Sequence, residues 1–565
     1  MKKYIYSPTP TTTRGQATRL STNSQGTRLV YTNAKSVFVR DLENPSIATE
    51  YAGHVHATTA ARFSPSGYYI ASGDVQGNVR IWDAMGEGSL KSEIRPIAGR
   101  INDIAWDAES KRVIAVGDGK ERFGHAFFFD SLSSCGEITG HSKQINSVSI
   151  KPTRPFKAVT ASDDATVVFF SGVPYKFGKV IRDHSRFVQQ VAFSPSGDVF
   201  CSVGADGKIF LYDGKEGERM SELQVDGQAH AGTIFAASWS PDSQYLLTSG
   251  ADCTTKLWDV TSGKIVNTFE FTGGSQQYDD QQVGNVWSAK DHLVSLSLSG
   301  DLNYLDKRSG SVSRKVLGHA RGITAMAVTP SQTLYTGSYD GRICSWDLSN
   351  LDQAEAKPIE GHANQVMAMQ VADYRLYSVG MDDVLKTGTI EQGFHSIPTT
   401  HLPRALSVVD NLVAIATNHD VQIYDKGKKV AVLDKLNYTP TCAVLGKGQL
   451  YVGSEDALIR PYTISGTTFT PGEPFSSNRG PISAMALDPS GTLLAVADHQ
   501  GKIYVYENGK TKIQHWVFHT GRVTSLAWNK EGTHVVSASW DTHIYVWSVE
   551  RPMKRVAIKN AHKDV

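Results

Sequence analysis

The amino-acid sequence repeats itself. Its clearest unit runs Ala229-His-Ala-Gly-Thr-Ile-Phe-Ala-Ala-Ser-Trp-Ser-Pro-Asp-Ser-Gln-Tyr-Leu-Leu-Thr-Ser-Gly-Ala-Asp-Cys-Thr-Thr-Lys-Leu-Trp-Asp259 and returns from His319 to Asp347 and from His519 to Trp547. Weaker copies end at Trp82-Asp83, Phe129-Asp130, Phe170, Tyr212-Asp213, Leu305-Asp306, Tyr424-Asp425, Tyr462 and Tyr506-Glu507. These endpoints recur roughly every 40 residues, so the chain must stack one supersecondary unit many times rather than build a single irregular core. Within a unit the pattern is that of four short strands. An apolar run such as Ile234–Trp239 comes first. A turn of the type Ser64-Pro-Ser-Gly67 or Asp488-Pro-Ser-Gly491 follows, in which proline fixes one φ and glycine supplies a positive one. A small β-branched strand, a strand closing on an aromatic residue and a more polar edge strand complete it. Turn signals about every ten residues predict an all-β chain with little helix.

A four-strand unit of this length is a blade of a WD-repeat β-propeller. Thirteen units are recognisable. The first spans Ala17 to Tyr51, the seventh ends near Leu317, the ninth (366–400) is very degenerate, and the thirteenth ends near Ile558. Ala561-His-Lys-Asp-Val565 reads as the opening of another unit, cut short. Propeller rings hold about four to eight blades, so thirteen require two rings. The expected organisation is a seven-bladed propeller over 17–317 and a second, seven-bladed or incomplete, over 318–565. The strand around Lys3–Tyr6, within 1–16, has no place in the first unit and is a candidate to complete a blade of the second ring.

Composition narrows the partners. The 565 residues carry 57 Lys plus Arg against 56 Asp plus Glu, a net charge of +1. That balance argues against bulk electrostatic binding of nucleic acid or anionic membrane. The five cysteines are widely spaced and never form C-x-x-C, which argues against a disulfide framework and a zinc site. The start lacks the apolar core of a signal peptide, and no run of about 18 apolar residues exists. The single Asn-x-Thr acceptor at Asn437 reads as a chance occurrence. A cytoplasmic monomer without cofactor or metal is expected.

The repeats account for the conspicuous polar residues. His230, Thr248, Asp252 and Trp258 sit at the spacing of a WD-repeat structural tetrad, as do His319, Thr336, Asp340 and Trp346, and His519, Ser537, Asp541 and Trp547. The fifth unit offers His184, Ser202, Asp206 and Tyr212. In such a set each buried polar group finds a partner inside its own blade. These histidines are therefore read as structural. No Walker loop, H-E-x-x-H or G-x-S-x-G occurs, and no enzymatic activity is expected.

Some segments exceed what a blade needs. They are Gly117-Asp-Gly-Lys-Glu-Arg-Phe-Gly-His-Ala-Phe-Phe-Phe-Asp130, Arg154-Pro-Phe-Lys-Ala-Val-Thr-Ala-Ser-Asp-Asp-Ala-Thr-Val167, Pro174-Tyr-Lys-Phe-Gly-Lys179 and His184-Ser-Arg-Phe-Val-Gln-Gln-Val191. Through them the chain resembles the actin-interacting protein 1 family over nearly its whole length. The resemblance implies two seven-bladed propellers. It further implies binding to actin filaments decorated by ADF/cofilin, promotion of their severing and disassembly, and a place in the cytoplasm at cortical actin structures. The alternative is a generic WD scaffold or substrate-recruiting subunit.

Blade topology filters the site. Strands a to d run alternately up and down, so b–c and d–a connections emerge on one face. Glu121 lies in the b–c connection of unit three, Asp163 in the b–c turn of unit four, and Phe187 just after a d–a turn. Lys176 and Phe177 enter strand d of unit four. An apolar anchor ringed by charges of both signs suits a protein-binding hot spot, and the resemblance points to the same five residues. The second propeller is expected to add a separate contact. The polar run from Thr272 to Gln282 is read as a surface loop.

Overall fold

The computed structural model describes residues 6–225, 227–271, 277–350, 355–559 and 561. Lys3, Tyr4 and Ile5 of the N-terminal strand, the loop residues 272–276 and residues 562–565 lie outside the described residues.

Every sheet has the same composition: four antiparallel strands, each hydrogen-bonded to the next in sequence. Thirteen such sheets occur among the described residues, at 21–51, 58–94, 101–137, 145–181, 188–223, 234–270, 282–316, 323–359, 366–398, 403–433, 440–471, 482–516 and 523–558. They are called sheets 1 to 13 below, with strands a to d. Among the described residues the one helical element is a single 3-10 turn at Tyr278–Asp280. The all-β expectation therefore holds, and no described helix is long and apolar enough to cross a membrane.

Sequence sets the layering within each sheet. Strands b and c carry the small, β-branched and aromatic residues and are buried on both faces, as in Ala158–Ala161 and Val167–Phe170. Strand d alternates polar and apolar residues and is mostly exposed, as in Ile265–Glu270 and Ser311–Val316. The Ser-Pro-Ser-Gly turns close the a–b hairpins with Gly67 and Gly197 both at φ +76°, where glycine carries no Cβ penalty.

The chain divides into two compact units. One holds the described residues to Ala320 with Glu355 and Ala356; the other holds Arg321–Asn350 and the residues from Lys357 on. Sheets 1 to 7 fill the first unit. Its ends meet in one hydrophobic cluster that joins Leu20 and the sheet 1 residues Leu29, Tyr31 and Phe38 to Val283, Val294, Leu296 and Leu302 of sheet 7. The Thr18 amide also donates to the Val283 carbonyl at 2.9 Å. Residues 7–12 lie against sheet 1: the Tyr31 hydroxyl donates to Pro8 O at 2.6 Å and Asn33 Nδ2 to Thr9 O at 2.7 Å.

Polar side chains from several strands a, together with Arg19 just before sheet 1, form one buried network in the first unit. Arg19 donates to Gln190 Oε1 at 3.0 Å and to the carbonyls of Asn146 and Gln189 at 2.8 and 2.7 Å. Asp103, fully buried, accepts from Arg62 at 2.9 Å and from Ser147 at 2.9 Å. Burial pushes the Arg19 guanidinium down to about 10; Asp103 opposes that shift and Arg62 adds to it, so Arg19 stays charged at neutral pH.

The second unit holds six described sheets, 8 to 13, joined by successive apolar clusters. Its two terminal sheets keep one apolar face uncovered among the described residues. In sheet 13 the cross-strand row Ala527, Val536, Val546, Val556 ends with Val556 62% exposed. In sheet 8 Met326 and Val328 are exposed.

Candidate functional site

One detail of the strand geometry shapes the face that carries the b–c and d–a connections. In most sheets the a–b register slips by one residue at the start of strand a, as between Ile145 and Ser147, Val188 and Gln190, and Pro403 and Ala405. A bulge of this kind re-aims the extra residue. In sheet 4 that residue is Asn146, whose Nδ2 donates to Asp163 Oδ1 at 2.7 Å and to the Val188 carbonyl at 2.9 Å. Gln144 Nε2 donates to Asp163 Oδ2 at 2.6 Å. Both carboxylate oxygens of Asp163 are thus held by side-chain amides.

A second regularity places the rim. The amide of the b–c residue just before the turn aspartate donates to a carbonyl just before strand a: Asp163 N to Gln144 O at 3.2 Å, Ala205 N to Phe187 O at 2.8 Å, Ala251 N to Thr233 O at 2.8 Å. Asp163 and Phe187 therefore occupy the two halves of this rim position in adjacent blades. They line one open cavity of about 700 Å³ together with Lys143, Arg186 and Phe235. Phe187 is 46% exposed, and Lys143 Nζ stands 5.7 Å from its ring centroid, within cation–π range.

The other three expected residues lie outside that cavity. Phe177 is half-exposed on the edge strand Lys176–Ile181, and its ring lies against Gly140 in the d–a connection leading to sheet 4. A Cβ at Gly140 would come within 2.7 Å of that ring, and Gly140 has φ +102°. Lys176 is exposed at the start of the same strand. Glu121 stands with Lys120 and Arg122 in a fully exposed stretch of the b–c connection of sheet 3. Lys143 and Arg186, which bring positive charge to the cavity, escaped the reading of the sequence. The signal was their place in the d–a motifs His141-Ser-Lys-Gln and His184-Ser-Arg-Phe.

The polar sets beneath the rim are closed networks. His230 meets Asp252 through Nδ1 at 2.9 Å and Thr248 through Nε2 at 2.8 Å, and Trp258 Nε1 donates to Thr248 at 3.0 Å. His519 meets Asp541 at 2.9 Å and Ser537 at 2.8 Å, and Trp547 donates to Ser537 at 2.8 Å. In sheet 8 Trp346 donates to Thr336 at 2.8 Å and Ser338 bonds Asp340, while His319 is buried within the first unit. His184 follows the same plan with Asp206 and Ser202 at 3.0 and 2.7 Å. Sheets 2, 4 and 9 add His54 with Ser72, His141 with Thr160 and Asp164, and His362 with Ser378 and Asp382. Burial pulls the His230, His362 and His519 rings below the usual histidine range despite their carboxylate neighbours. Burial acts upward on Asp252, but hydrogen bonds led by that from His230 overcome it and hold the carboxyl at about 2. The hydroxyls that the His230 and His519 rings meet, Thr248 and Ser537, are themselves fully buried and each accepts a tryptophan N–H, so these polar groups are satisfied inside their own sheets.

A model of the WD domain, G-beta repeat matches residues 45–83, 132–171, 175–213, 221–259, 310–347 and 510–548. WD repeat-containing protein 1 of Gallus gallus is 40% identical over 577 residues, covering 99% of this chain and 94% of the relative. Actin-interacting protein 1 of Drosophila melanogaster is 39% identical over 572 residues, covering 99% of this chain and 93% of the relative. This chain belongs to the actin-interacting protein 1 family. A third relative, the 66 kDa stress protein of Physarum polycephalum, is 40% identical over 575 residues with the same coverage as the first. Membership of the actin-interacting protein 1 family accounts for both the WD repeats and the all-β chain.

Proposed function

We propose that the protein binds actin filaments, recognises those decorated by ADF/cofilin, and promotes their severing and disassembly at the actin cytoskeleton, acting as a monomer without catalytic chemistry or cofactor. The observation that carries this reading is end-to-end similarity to a relative named actin-interacting protein 1. The first unit supplies a suitable surface. An exposed aromatic ring, Phe187, sits between Lys143, Arg186 and Asp163 at one open cavity. Aromatic anchors flanked by charge are where protein interfaces concentrate their binding energy. Glu121, Lys176 and Phe177, exposed on sheets 3 and 4, are assigned to the same contact. Tighter binding to the cofilin-altered filament than to the bare one would shift filaments toward the altered, fragile state, because only differential affinity moves such an equilibrium.

Co-sedimentation with actin filaments, with and without cofilin, tests the reading. The chain is expected to pellet with filaments in a cofilin-dependent way and to raise the number of filament ends. A chain that stays in the supernatant under both conditions overturns the function. If Glu121→Ala and Phe187→Ala both pellet and disassemble filaments normally, the function stands and the site assignment falls.

A further inference from the structure

The rim geometry repeats in the second unit with different residues. The same amide-to-carbonyl bond runs from Glu455 to Thr439 at 3.1 Å, from His499 to Pro481 at 3.0 Å and from Trp540 to Arg522 at 3.0 Å. Trp540 and Arg522 therefore stand where Ala205 and Phe187 stand in the first unit. The aromatic residue has changed sides within the position, and a guanidinium has taken the place of the Phe187 ring.

Trp540 is 56% exposed, an unusual setting for the largest apolar side chain. Arg522 lies over it, with Cζ 5.3 Å from the ring centroid. Arg522 Nε is shielded from solvent and makes no hydrogen bond, and among the described residues Arg522 has no ion pair. Arg404, the bulge residue of sheet 10, is close enough to repel it, and burial together with that repulsion lowers the Arg522 guanidinium below its ordinary value. Arg404 is itself paired with Glu455 at 2.9 Å. Arg479, in the d–a connection leading to sheet 12, is exposed and has no ion pair among the described residues. The mouth of this unit thus brings Arg522 beside Arg404 and its partner Glu455, next to an exposed indole, with Arg479 two residues before Pro481 of the neighbouring rim position.

We propose that this rim is a second docking site, and that its occupant is a protein segment carrying a carboxylate next to an apolar side chain. The carboxylate answers the unpaired Arg522 and Arg479, and the apolar side chain covers Trp540. Trp and Arg are the residues most often found at the energetic centre of protein interfaces, and a guanidinium already stacked on an indole keeps its donors free for a planar carboxylate. The inference rests on the proposed function for the identity of the protein that carries the segment, a component of the cofilin-decorated filament. The site itself rests only on the second unit.

The test uses the full chain and two probes. The first is the cofilin-decorated actin filament. Arg522→Gln and Trp540→Ala are each expected to weaken pelleting about tenfold, Arg479→Glu several-fold, and Trp540→Phe less than threefold, with thermal unfolding followed for each. The second probe is a fluorescein-labelled eight-residue peptide with four aspartates around Leu and Phe. It is expected to bind with an affinity that falls as salt is raised, and not to bind Arg522→Gln. Folded variants that bind both probes within twofold of the parent overturn the inference. If the parent chain fails to pellet with filaments, the filament reading fails and the peptide alone decides the site: salt-dependent binding lost in Arg522→Gln supports it, and no binding overturns it.

Discussion

Arg19 faces Asp103 across the inside of the first ring, its Nε 3.6 Å from the carboxylate and neither side chain more than 4% exposed. The same guanidinium holds the Asn146 carbonyl, and the Asn146 side chain holds Asp163 at the rim. The interior polar network and the candidate site are therefore joined through one residue. Arg19→Met removes a buried cation and leaves the Asn146 and Gln189 carbonyls and the Gln190 side chain, on two strands, without it. It is expected to destabilise the protein by about 3 kcal/mol, the scale for breaking a buried ion pair from one side. Thermal unfolding would show this as an earlier transition, and Arg19→Lys should recover only part of the loss because its single ammonium cannot span the same acceptors.

Glu121 and Asp163 should separate binding from stability. Glu121 is exposed, so Glu121→Ala is expected to leave the unfolding midpoint within the roughly 0.5 kcal/mol typical of surface changes while weakening cofilin-dependent pelleting. Asp163→Ala strands the amides of Gln144 and Asn146, and should lower both pelleting and stability, the latter by about 1–3 kcal/mol.

Gly140 offers a way to move Phe177 without mutating it. Gly140→Ala forces a side chain into a left-handed backbone and against the Phe177 ring. A cost of about 1–2 kcal/mol is expected. Weaker filament binding at full folding, read by co-sedimentation alongside circular dichroism, would place Phe177 in the contact; unchanged binding would remove it.

Acid should loosen both units through the closed networks. The His230 and His519 rings titrate below the unfolded value of about 6.5, so the unfolded chain takes up protons first and stability falls as pH drops through that value. Asp74 and Asp252, held at about 2, contribute stability above about pH 4 that is lost between there and 2. The melting temperature is expected to decline from pH 7 toward 5 and more steeply below 4. His519→Gln should flatten the first part of that decline, a change read by scanning calorimetry across the same range.

The sequence made the architecture plain because each blade writes its own pattern locally: turn, small strand, aromatic strand. It made the His230 and His519 networks plain because both hold histidine and aspartate 22 residues apart. It hid those of His54 and His362, where the separation is 20, and of His141, where it is 23, because the connections between strands differ in length. The Arg19 network could not be read at all: its partners Asn146 and Gln190 lie 127 and 171 residues away and meet only when the ring closes. Asp163 and Phe187 could be placed on one face by strand count, but the cavity between them and the part played by Lys143 depend on packing of adjacent blades.

The Thr9 amide donates to the His319 carbonyl at 3.1 Å, and Asn33 Nδ2 reaches Ala320 at 3.3 Å. The point where the chain enters the first ring and the point where it leaves are thus stitched side by side. For that ring the order of its blades along the chain is a matter of bookkeeping, and a circular permutant opened in the turn at residues 172–174, where Val173 and Pro174 are exposed, with residues 9 and 319 bridged by a short linker, would keep every sheet neighbour it has now.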